Sequence, residues 1–565
     1  MMLKYIEMYK FKYSKREYPK YDTIKEYFEF SYRSNPSKIA YVDLKDDSSI
    51  SFEDFRNNCI YARYSLNQLL KKNSVKCCVI SENSIAYMNS YFSIIFSNNV
   101  AVLIAGDLDE ETLAYQIDHT DCEVAFVSKK YLDKVNSVKD KCKDIKHIIL
   151  LDEDTNEEYQ TLNDLIRNGN NEKAIKEYED FKVDENKACL ILFTSGTSGY
   201  NKAVQLSNRN ICCSVYTVLM KFGNFNTTLS VLPFYHSYEN CCHVLPSLFC
   251  GCTNYINDSA SHVMRNFKKV PAEVTVVVPT ILDTIANKIR AEAKRLHSEK
   301  YLKMGIKTSN TLRMIGIDMR EKWFKAVLSR MSDSLRTFVV GGAAINPENY
   351  DLLTSIGLTI INGYGETECS PLIACNSIER QDRIAVGKVI EDMEVKIDNK
   401  DANGNGEILV RGKGVMLGYY KDKKATNETI DSDGWLHTGD LGHFNRRKEL
   451  VITGRSKNLI ILANGKNVYP EELEFLLSKH IRYIKEVIVH TNDKQSGLYA
   501  SAYLDEDFTI NKSDDEIYKK LKFDIAKFNK KMPSYKYIID VNIKKEPFKK
   551  NINKKIVRKR INSDY

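Results

Sequence analysis

The sequence predicts an α/β protein with a large N-terminal domain of mixed sheets and flanking helices, a small β-subdomain and a small α+β C-terminal domain. From about Tyr41 to Val340, short β-branched runs alternate with longer helical patterns, as in mixed α/β sheets. From Met393 to Ile452 the pattern changes to short strands separated by glycines and acidic turns, and helix and strand alternate again after Gly454. The runs expected to form strands in the large domain are residues 75–80, 100–104, 124–127, 188–193, 274–280 and 335–340.

The length and composition indicate a globular chain with more than one domain. Its 565 residues are 43% hydrophobic and 28% charged, and a chain of this length is too long for one hydrophobic core. A glycine and charged residues follow the β-rich stretch, so we predict domains at residues 1–453 and 454–565 with a hinge near 455–457. The charged stretch 285–331 predicts helices that flank the sheet. Polar interruptions within residues 88–108 favour a core helix followed by a strand over a transmembrane helix.

Net charge and cysteine spacing bear on which compartment and which partners are expected. The formal net charge of +8 suits anionic small molecules or weak attraction to anionic lipid, and by itself names no partner. The fourteen cysteines stand without zinc-finger spacing, so we expect reduced and mostly buried thiols; Cys250 and Cys252 could be a ligand pair, but a structural role is favoured. The first ten residues carry no uninterrupted apolar segment, so we expect no secretory signal and a cytoplasmic protein.

A turn rich in hydroxyls and glycines follows the strand predicted at residues 188–193. Its glycines let the backbone approach an anion, its hydroxyls and N–H groups donate to anion oxygens, and its lysine suits a polyphosphate. The residues concerned are Thr194, Ser195, Gly196, Thr197, Ser198, Gly199 and Lys202. The same residue types also favour an ordinary solvated turn. Because no Gly-Lys pair in the chain is followed by Ser or Thr, an ordinary P-loop NTPase is disfavoured.

Four further segments follow this loop in a fixed order. They read Ile-Asn-Gly-Tyr-Gly-Glu-Thr-Glu at 361–368, Gly-Trp-Leu-His-Thr-Gly-Asp at 434–440, Gly-Arg-Ser-Lys-Asn at the start of 454–470, and Glu-Pro-Phe-Lys-Lys at the start of 546–558. With the loop, these segments resemble the adenylate-forming superfamily of acyl-CoA synthetases, peptide-synthetase adenylation domains and firefly luciferase. The resemblance extends from about residue 21 to residue 560, nearly the whole chain.

The segment at 361–368 carries the chemistry of a nucleotide and metal site. Tyr364, between two glycines, could place its ring beside adenine, and the resemblance makes Gly365 part of the same turn. Thr367 offers a hydroxyl to the α-phosphate, and Glu368 offers a hard oxygen ligand to Mg²⁺. Thr194 is the second predicted metal ligand. The alternative is a glycine-rich turn with an ordinary surface acid.

The resemblance assigns further nucleotide contacts around the predicted hinge. Asp440 can accept hydrogen bonds from both ribose hydroxyls. The alternative is an aspartate that only caps a turn, because the local sequence fits both. Arg455 would contact the ribose or a phosphate, and Lys457 would be the pivot of a mobile C-terminal domain. An ordinary charged linker is the alternative for both. Gly465 would line the path of the pantetheine thiol, where a side chain could block it.

The segment Leu-Pro-Phe-Tyr-His-Ser-Tyr-Glu at residues 232–239 resembles the signature of the long-chain fatty acyl-CoA synthetase branch. His236 would then lie near the reacting carboxylate, whereas a lone histidine is more often a satisfied core residue. The glycine-rich turn at 341–347 resembles the family's substrate pocket. The long helical insert before it also fits this branch.

Alignment of the last segment with the family's Gly-Lys-Ile makes Lys555 the cation that bridges carboxylate and α-phosphate oxygens during adenylation. Lys554 stands where many members have glycine and is a candidate substitute. The alternative is a basic tail between residues 544 and 560 that is solvated or touches nucleic acid or membrane. Asn201 and Ala203 replace the family's usual proline and glycine in the phosphate loop without removing a phosphate donor.

The resemblance implies an acid–thiol ligase that uses ATP, Mg²⁺ and CoA. A carboxylic acid, expected to be a medium- or long-chain fatty acid, attacks the α-phosphate to give an acyl-adenylate and pyrophosphate, and CoA then displaces AMP. Two alternatives remain: delivery to the phosphopantetheine of a holo acyl carrier protein, and a non-catalytic nucleotide-binding scaffold. We expect no nucleic-acid partner, because Phe548 is the only aromatic residue in the basic tail. Peripheral membrane contact and the oligomeric state are left open.

Overall fold

The chain forms two compact units in its computed structural model, which describes residues 17–152, 158–194, 201–222, 225–402, 404–462, 466–492 and 497–549, with residues 556 and 558. By its contacts, the large unit comprises residues 1–345, 349–394 and 411–436. The small unit comprises residues 346–348, 395–410 and 437–565. The domain division at residues 453 and 454 stays a prediction.

One sheet of the large unit has eight strands in the order β19-β9-β8-β4-β3-β5-β6-β7. The strands are β3 (Lys76–Ile80), β4 (Val100–Ile104), β5 (Cys122–Val127), β6 (His147–Leu150), β7 (Gln160–Thr161), β8 (Ala188–Thr194), β9 (Lys202–Ser207) and β19 (Gly418–Tyr419). From β8 to β7 the strands are parallel, whereas β9 is antiparallel to β8 and β19 is antiparallel to β9. Strands β3, β4 and β5 are almost entirely buried, which explains their continuous apolar runs.

The second sheet of the large unit has nine strands in the order β16-β15-β14-β13-β12-β10-β11-β1-β2. They are β1 (Ile39–Asp43), β2 (Ser48–Ser51), β10 (Thr227–Ser230), β11 (Thr253–Ile256), β12 (Val274–Val277), β13 (Thr337–Val340), β14 (Thr359–Gly365), β15 (Leu372–Cys375) and β16 (Lys388–Val389). The sheet is parallel in its middle and antiparallel at both ends. The strand expected at residues 274–280 ends at Val277, because Pro279 lacks an N–H for the ladder and opens the next helix.

The large unit also contains helices, most of which contribute to buried apolar clusters with these strands. They are α1 (Ile24–Ser34), α2 (Phe52–Leu70), α3 (Ile85–Ile95), α4 (Glu110–His119), α5 (Lys129–Val138), α6 (Leu162–Gly169), α7 (Glu172–Asp180), α8 (Asn208–Phe222), α9 (Ser237–Glu239), α10 (Leu245–Phe249), α11 (Val263–Lys269), α12 (Pro279–Arg295), α13 (Glu299–Met314), α14 (Arg320–Trp323), α15 (Lys325–Met331), α16 (Pro347–Ser355) and α17 (Lys423–Thr429). Residues 88–108 contribute to helix α3 and strand β4, as predicted. Among the described residues, no helix is both long and apolar enough to cross a membrane.

In the described part of the small unit, a four-stranded, a two-stranded and a three-stranded sheet combine with three α-helices. The elements are β17 (Met393–Asp398), β18 (Gly406–Gly412), β20 (Leu436–Phe444), β21 (Leu450–Arg455), β22 (Ile460–Ile461), β23 (Asn467–Val468), α18 (Pro470–His480), β24 (Ile484–Thr491), β25 (Leu498–Leu504), α19 (Glu506–Thr509), α20 (Asp514–Asn529) and β26 (Ile538–Lys544). The α/β class, with mixed sheets in a large domain and a small α+β domain, is confirmed. The predicted β-subdomain is interrupted, because residues 411–436 group with the large unit through the pairing of β19 with β9.

All fourteen cysteines are free thiols, and all but Cys250 are buried. The Sγ atoms of Cys250 and Cys252 lie 3.2 Å apart, but in the described part of the chain no cluster of three potential metal ligands occurs. The prediction of mostly buried thiols is therefore confirmed, and their reduced state stays a prediction.

Candidate active site

Both ends of the predicted phosphate loop are held by the eight-stranded sheet. Thr194 ends β8 and Lys202 begins β9, and the two residues face each other in the antiparallel pair. The five predicted ligands between them, residues 195–199, lie outside the described residues. Ala203 is buried in the sheet core, so the alanine that replaces the family's glycine fills a packing position. The strand pair therefore fixes the backbone that carries Lys202.

Tyr419 packs against the predicted phosphate lysine. Strand β19 pairs with β9 so that Tyr419 lies opposite Val204, two residues beyond Lys202. The Lys202 ammonium lies over the tyrosine ring, with Nζ 4.4 Å from the ring centroid. A cation over an aromatic face is attracted by the ring quadrupole. The ring of Tyr419 therefore holds the lysine while leaving its N–H donors for another partner.

The hydroxyl of Tyr419 reaches the predicted metal ligand. It donates a hydrogen bond of 2.9 Å to Oε1 of Glu368. Burial, and next the charge of Glu368, raise the pKa of Tyr419 well above its ordinary value, so the phenol keeps the proton that it donates. The backbone of the glutamate is also held, since its carbonyl accepts from the N–H of Met416 at 2.8 Å. One buried tyrosine thus links a cation and a carboxylate from separate segments.

A second contact links Thr367 to the segment that carries His236. The Oγ of Ser237 and Oγ1 of Thr367 lie 3.0 Å apart, and either hydroxyl can be the donor. Each hydroxyl has one proton and two acceptor lone pairs. When Ser237 donates, the proton of Thr367 is left for a phosphate oxygen. The two segments, remote in sequence, therefore meet at the predicted α-phosphate ligand.

The turn that carries Thr367 requires glycine at one position. Strand β14 ends at Gly365, and a Cβ built there would lie 1.7 Å from the carbonyl oxygen of Pro371. Such a contact is impossible without moving backbone. Tyr364 is half-buried and pairs with Ala374 of β15. The predicted adenine-binding turn is therefore built on a close backbone approach, which explains one of its two glycines.

His236 is held in a neutral form. It lies at the beginning of α9 and its ring packs against that of Tyr235, with the centroids 4.6 Å apart. Burial lowers the pKa of His236 to about 4. At neutral pH the imidazole therefore offers hydrogen bonds rather than a positive charge. Its placement beside the substrate carboxylate stays a prediction.

The acidic residue predicted to bind Mg²⁺ fits a particular kind of metal site. Within the ranges that the structure describes, no group of three or more His, Cys, Asp or Glu side chains could hold a metal ion. Mg²⁺ commonly takes one or two carboxylates and completes its shell with substrate phosphates and water. Glu368, one residue from Thr367, suits a metal that arrives with a nucleotide. It does not suit a cage made only of protein ligands.

In the small unit, Asp440 and Arg455 form an ion pair. They face each other across β20 and β21, and Nε of Arg455 lies 3.0 Å from Oδ1 of Asp440. The turn before the aspartate is fixed because the Thr438 hydroxyl donates to the carbonyl of Ile408 at 2.7 Å. Lys457 follows in an exposed 3₁₀ turn. The pair presents an acceptor and a cation side by side, which is the combination predicted for a ribose and a phosphate.

One described residue near the predicted catalytic lysine makes a defined contact. Lys555 and Gly465 lie outside the described residues, as does Lys554. Arg558 forms an ion pair and hydrogen bond with Glu474 of helix α18. Burial raises the pKa of Glu474 to about 7, and the charge of Arg558 acts in the opposite direction. Arg558, at least, belongs to a packed ion pair rather than to a solvated basic tail.

Two family models account for most of the chain. A model described as AMP-binding enzyme matches residues 28–420, and one described as AMP-binding enzyme C-terminal domain matches residues 457–565. The chain belongs to the AMP-binding enzyme family. The resemblance to adenylate-forming enzymes is thereby confirmed.

Relatives of this AMP-binding enzyme include named acyl-CoA synthetases. It is 24% identical over 483 residues to Fatty acyl-CoA synthetase B of Dictyostelium discoideum, covering 80% of this chain and 71% of the relative. It is 25% identical over 487 residues to the long-chain-fatty-acid–CoA ligase ACSBG2 of Rattus norvegicus, covering 80% and 72%. A solved structure of the anthranilate CoA ligase AuaEII with anthranoyl-AMP covers 95% of this chain and 96% of its own, with a TM-score of 0.76 at 19% identity. That structure supports the fold alone.

Two site residues of this AMP-binding enzyme were not predicted from its sequence. Ser237 follows His236 directly in the segment 232–239, so that segment is the sequence signal that points to its hydroxyl. Tyr419 gave no signal, because its contacts depend on the pairing of β19 with β9. The phosphate-binding, ribose-binding and catalytic roles of the predicted residues stay predictions.

Proposed function

We propose that this AMP-binding enzyme is an ATP-dependent acid–thiol ligase. A carboxylate oxygen attacks the α-phosphorus of ATP, and the bond to the bridging oxygen breaks to release pyrophosphate and leave an acyl-adenylate. The thiol of CoA then attacks the acyl carbon, its proton is lost, and AMP leaves with the carboxylate-derived oxygen. A free carboxylate is a poor acyl donor, so the first step is what makes the second feasible.

The set of contacts from Lys202 through Tyr419 to Glu368 is the observation that carries this proposal. A cation, a buried phenol and a carboxylate are held together, and the adjoining Thr367 is held by Ser237. Such an arrangement provides a charge for phosphate oxygens, a metal ligand and a hydroxyl donor. It matches the needs of phosphoryl chemistry, in which positioning and charge neutralisation supply most of the rate.

The residues of the large unit would divide the work as follows. Lys202 would neutralise the departing phosphates, and the hydroxyl of Thr367 would donate to the α-phosphate. Glu368 would hold Mg²⁺, which when bound neutralises phosphate charge and polarises the attacked phosphorus. Neutral His236 would donate a hydrogen bond near the substrate carboxylate without forming an ion pair with it.

Residues of the small unit would complete the reaction. Asp440 and Arg455 would contact the ribose and phosphate, and Lys555 would bridge carboxylate and α-phosphate oxygens during adenylation. Lys457 would act as the pivot between the two half-reactions, and Gly465 would leave room for pantetheine. These assignments rest on the match of each residue to the family's motifs.

We infer that the acid is a medium- or long-chain fatty acid. The names of the two relatives and the segment 232–239 support a fatty substrate. The free, buried thiols support a reducing, cytoplasmic location. Delivery to a carrier protein remains the alternative for the second step.

A carboxylate-dependent exchange assay tests the proposed function. Labelled pyrophosphate should enter ATP only when a suitable acid is present, and the panel should run from acetate through octanoate and palmitate to benzoate. The largest rates are expected with octanoate or palmitate. Exchange with benzoate alone would contradict the fatty-acid assignment, and no exchange with any acid would favour a non-catalytic scaffold. CoA and holo acyl carrier protein should then be compared as acceptors.

Paired lysine variants separate the two half-reactions. Lys555→Ala should lower exchange by about 100-fold or more, because it removes a cation from the adenylation transition state. Capture of CoA from a supplied acyl-adenylate should survive. Lys554→Ala is the matched control and should retain exchange. Loss of exchange in Lys554→Ala instead would move the role to the neighbouring lysine.

A further inference from the structure

Exposed apolar side chains are concentrated on one stretch of the large unit. Seven of the sixteen exposed large apolar residues in the described part of the chain lie between residues 296 and 323. Three of them are among the most exposed, Met314 at 87%, Tyr301 at 72% and Ile315 at 63%. Large apolar side chains grouped in this way on a surface usually mark an interaction site.

Helix α13 is packed on one side and open on the other. Leu302 and Ile306 pack against the core cluster of the nine-stranded sheet, and Ser309 is buried. A Cβ built on Gly305 would lie 3.5 Å from the ring of Phe324, so α13 lies directly against the start of α15. The opposite side presents apolar and basic residues to solvent. The helix is therefore held against the large unit by its packed side, and its other side is exposed.

The C-terminal end of α13 forms an apolar tip. Residues 314–317 read Met-Ile-Gly-Ile, and all four are exposed. The turn is closed because the N–H groups of Ile315 and Ile317 both donate to the carbonyl of Leu312, at 3.1 and 3.0 Å. Gly316 takes a φ of +85°, which favours glycine. The tip is thus an ordered turn that holds apolar side chains outward.

Basic residues surround this apolar surface. Between residues 294 and 325 there are nine lysines and arginines against three acidic residues. Seven of these nine cations are not in ion pairs within the described residues, and six of the seven lie on helix α13 or after it: Lys300, Lys303, Lys307, Arg313, Lys322 and Lys325. The neighbouring Asp318 already pairs with Arg320 at 2.6 Å. The charge of the surface is therefore largely uncompensated by the protein itself.

We propose that this surface, the α13 face, docks on an anionic membrane. The face consists of Tyr301, Met304 and Trp323, the tip at residues 314–317, and the six cations named above. Apolar side chains enter the acyl boundary while lysines and arginines bind anionic headgroups, as in interfacial amphipathic helices. A second copy of the chain fits less well, because a two-fold contact would bring the same cations against each other. Docking would bring the enzyme close to its substrate, because fatty acids partition into bilayers. This advantage rests on the proposed function.

Vesicle sedimentation without ATP or acid tests the proposal independently of catalysis. The full-length protein should bind vesicles of phosphatidylcholine with phosphatidylserine about tenfold more tightly than vesicles of phosphatidylcholine alone, and salt should weaken the binding. Met314→Ser with Ile315→Ser should lower the affinity about tenfold. Lys303→Glu with Lys307→Glu should lower it by at least as much, and only for anionic vesicles.

Two control variants match these changes elsewhere on the surface. Ile510→Ser with Phe523→Ser removes two apolar residues of similar exposure, and Lys423→Glu with Lys424→Glu reverses two exposed lysines of helix α17. Both controls should bind vesicles like the unchanged protein. Equal losses in test and control variants, or no vesicle binding at all, would overturn the proposal. A tip variant that alters sedimentation velocity but not vesicle binding would assign the face to a second copy instead.

Failure of the membrane proposal and failure of the proposed function are distinguishable. The exchange assay with a water-soluble acid such as octanoate reports adenylation without vesicles. Tip variants should keep that exchange rate, because no residue of the α13 face belongs to the candidate site. A tip variant that loses exchange in solution would contradict a purely docking role.

Discussion

At the scale of single residues, Tyr419 links two of the predicted site residues. Its ring receives the Lys202 ammonium and its hydroxyl donates to Glu368, so one residue orients both the predicted phosphate cation and the predicted metal ligand. A hydrogen bond to a charged group contributes more than one between neutral groups. Removal of the hydroxyl should therefore lower the rate of the metal-dependent step more than it lowers the free energy of unfolding.

Tyr419→Phe should lower kcat/KM for ATP in the exchange assay by about tenfold, because a charged hydrogen bond of about 1.5 kcal/mol is lost. The Mg²⁺ concentration needed for half-maximal rate should rise, and Tyr419→Leu should have a larger effect since it also removes the ring under Lys202. Tyr420→Phe is the matched control, because the hydroxyl of Tyr420 donates to a different carboxylate, Asp121, at 2.8 Å. Equal effects of both phenylalanine variants would contradict a specific role for Tyr419.

The neutral state of His236 gives a second residue-scale prediction. Its pKa falls from an ordinary 6.5 to about 4 on folding, so the unfolded chain binds more protons between these values. The contribution of His236 to the free energy of unfolding is therefore fully present above pH 6.5. It is lost as the pH falls toward 4, which lowers the free energy of unfolding by up to about 3 kcal/mol. His236→Asn should show a smaller loss over the same range. Both tryptophans, Trp323 and Trp435, lie in the large unit, so their fluorescence during urea unfolding is a suitable measurement. Parallel pH profiles would refute the assignment.

At the scale of elements, strand ends position the predicted site residues within each unit. Strand β8 ends at the phosphate loop, β14 ends at the turn before Thr367, and β20 and β21 bring Asp440 opposite Arg455. The position of each of these residues is set mainly by the pairing of its backbone with a neighbouring strand. Substitutions that disturb the backbone should therefore disable the site even where they leave every predicted ligand in the sequence.

Two glycines of β14 allow a controlled comparison. Gly365→Ala should destabilise the large unit by about 3 kcal/mol and abolish exchange, because the added Cβ would lie 1.7 Å from the Pro371 carbonyl oxygen. Gly363→Ala should cost less than about 1 kcal/mol, since the nearest atom to its Cβ is a Leu372 methyl at 3.5 Å, an ordinary van der Waals contact. Tryptophan fluorescence and the exchange assay give the two readouts. A variant at Gly365 that keeps full activity would show that this close approach is not required.

Local sequence patterns were sufficient for some elements and not for others. The run 75–80 and the window 88–108 were predicted correctly, because fully buried strands and helices keep their apolar pattern whatever surrounds them. The run 274–280 was predicted too long, since the strand gives way to a helix at Pro279. The short strand β19 was missed within the expected β-subdomain. Two residues cannot show a period, and its place is decided by pairing with a strand more than 200 residues away.

At the scale of the whole molecule, the collinear motifs identified the family, and contacts between distant segments supplied the site geometry. The family models match residues 28–420 and 457–565, and three of the five collinear motifs fall entirely within these ranges. Sequence alone could name Lys202, Thr367 and Glu368. It could not show that Tyr419 contacts both Lys202 and Glu368. Nor could it show that α13 carries exposed apolar residues together with cations that are not in ion pairs among the described residues. Such features depend on which surfaces the fold leaves open.

The central claim is that a carboxylate oxygen attacks the α-phosphorus of ATP, and the fate of that oxygen tests it most directly. The protein should be incubated with ATP, CoA and a fatty acid that carries ¹⁸O in its carboxyl group, and the products analysed by mass spectrometry. Attack by the carboxylate predicts one labelled oxygen in AMP and none in pyrophosphate. Unlabelled AMP, or label in inorganic phosphate or pyrophosphate, would contradict the account.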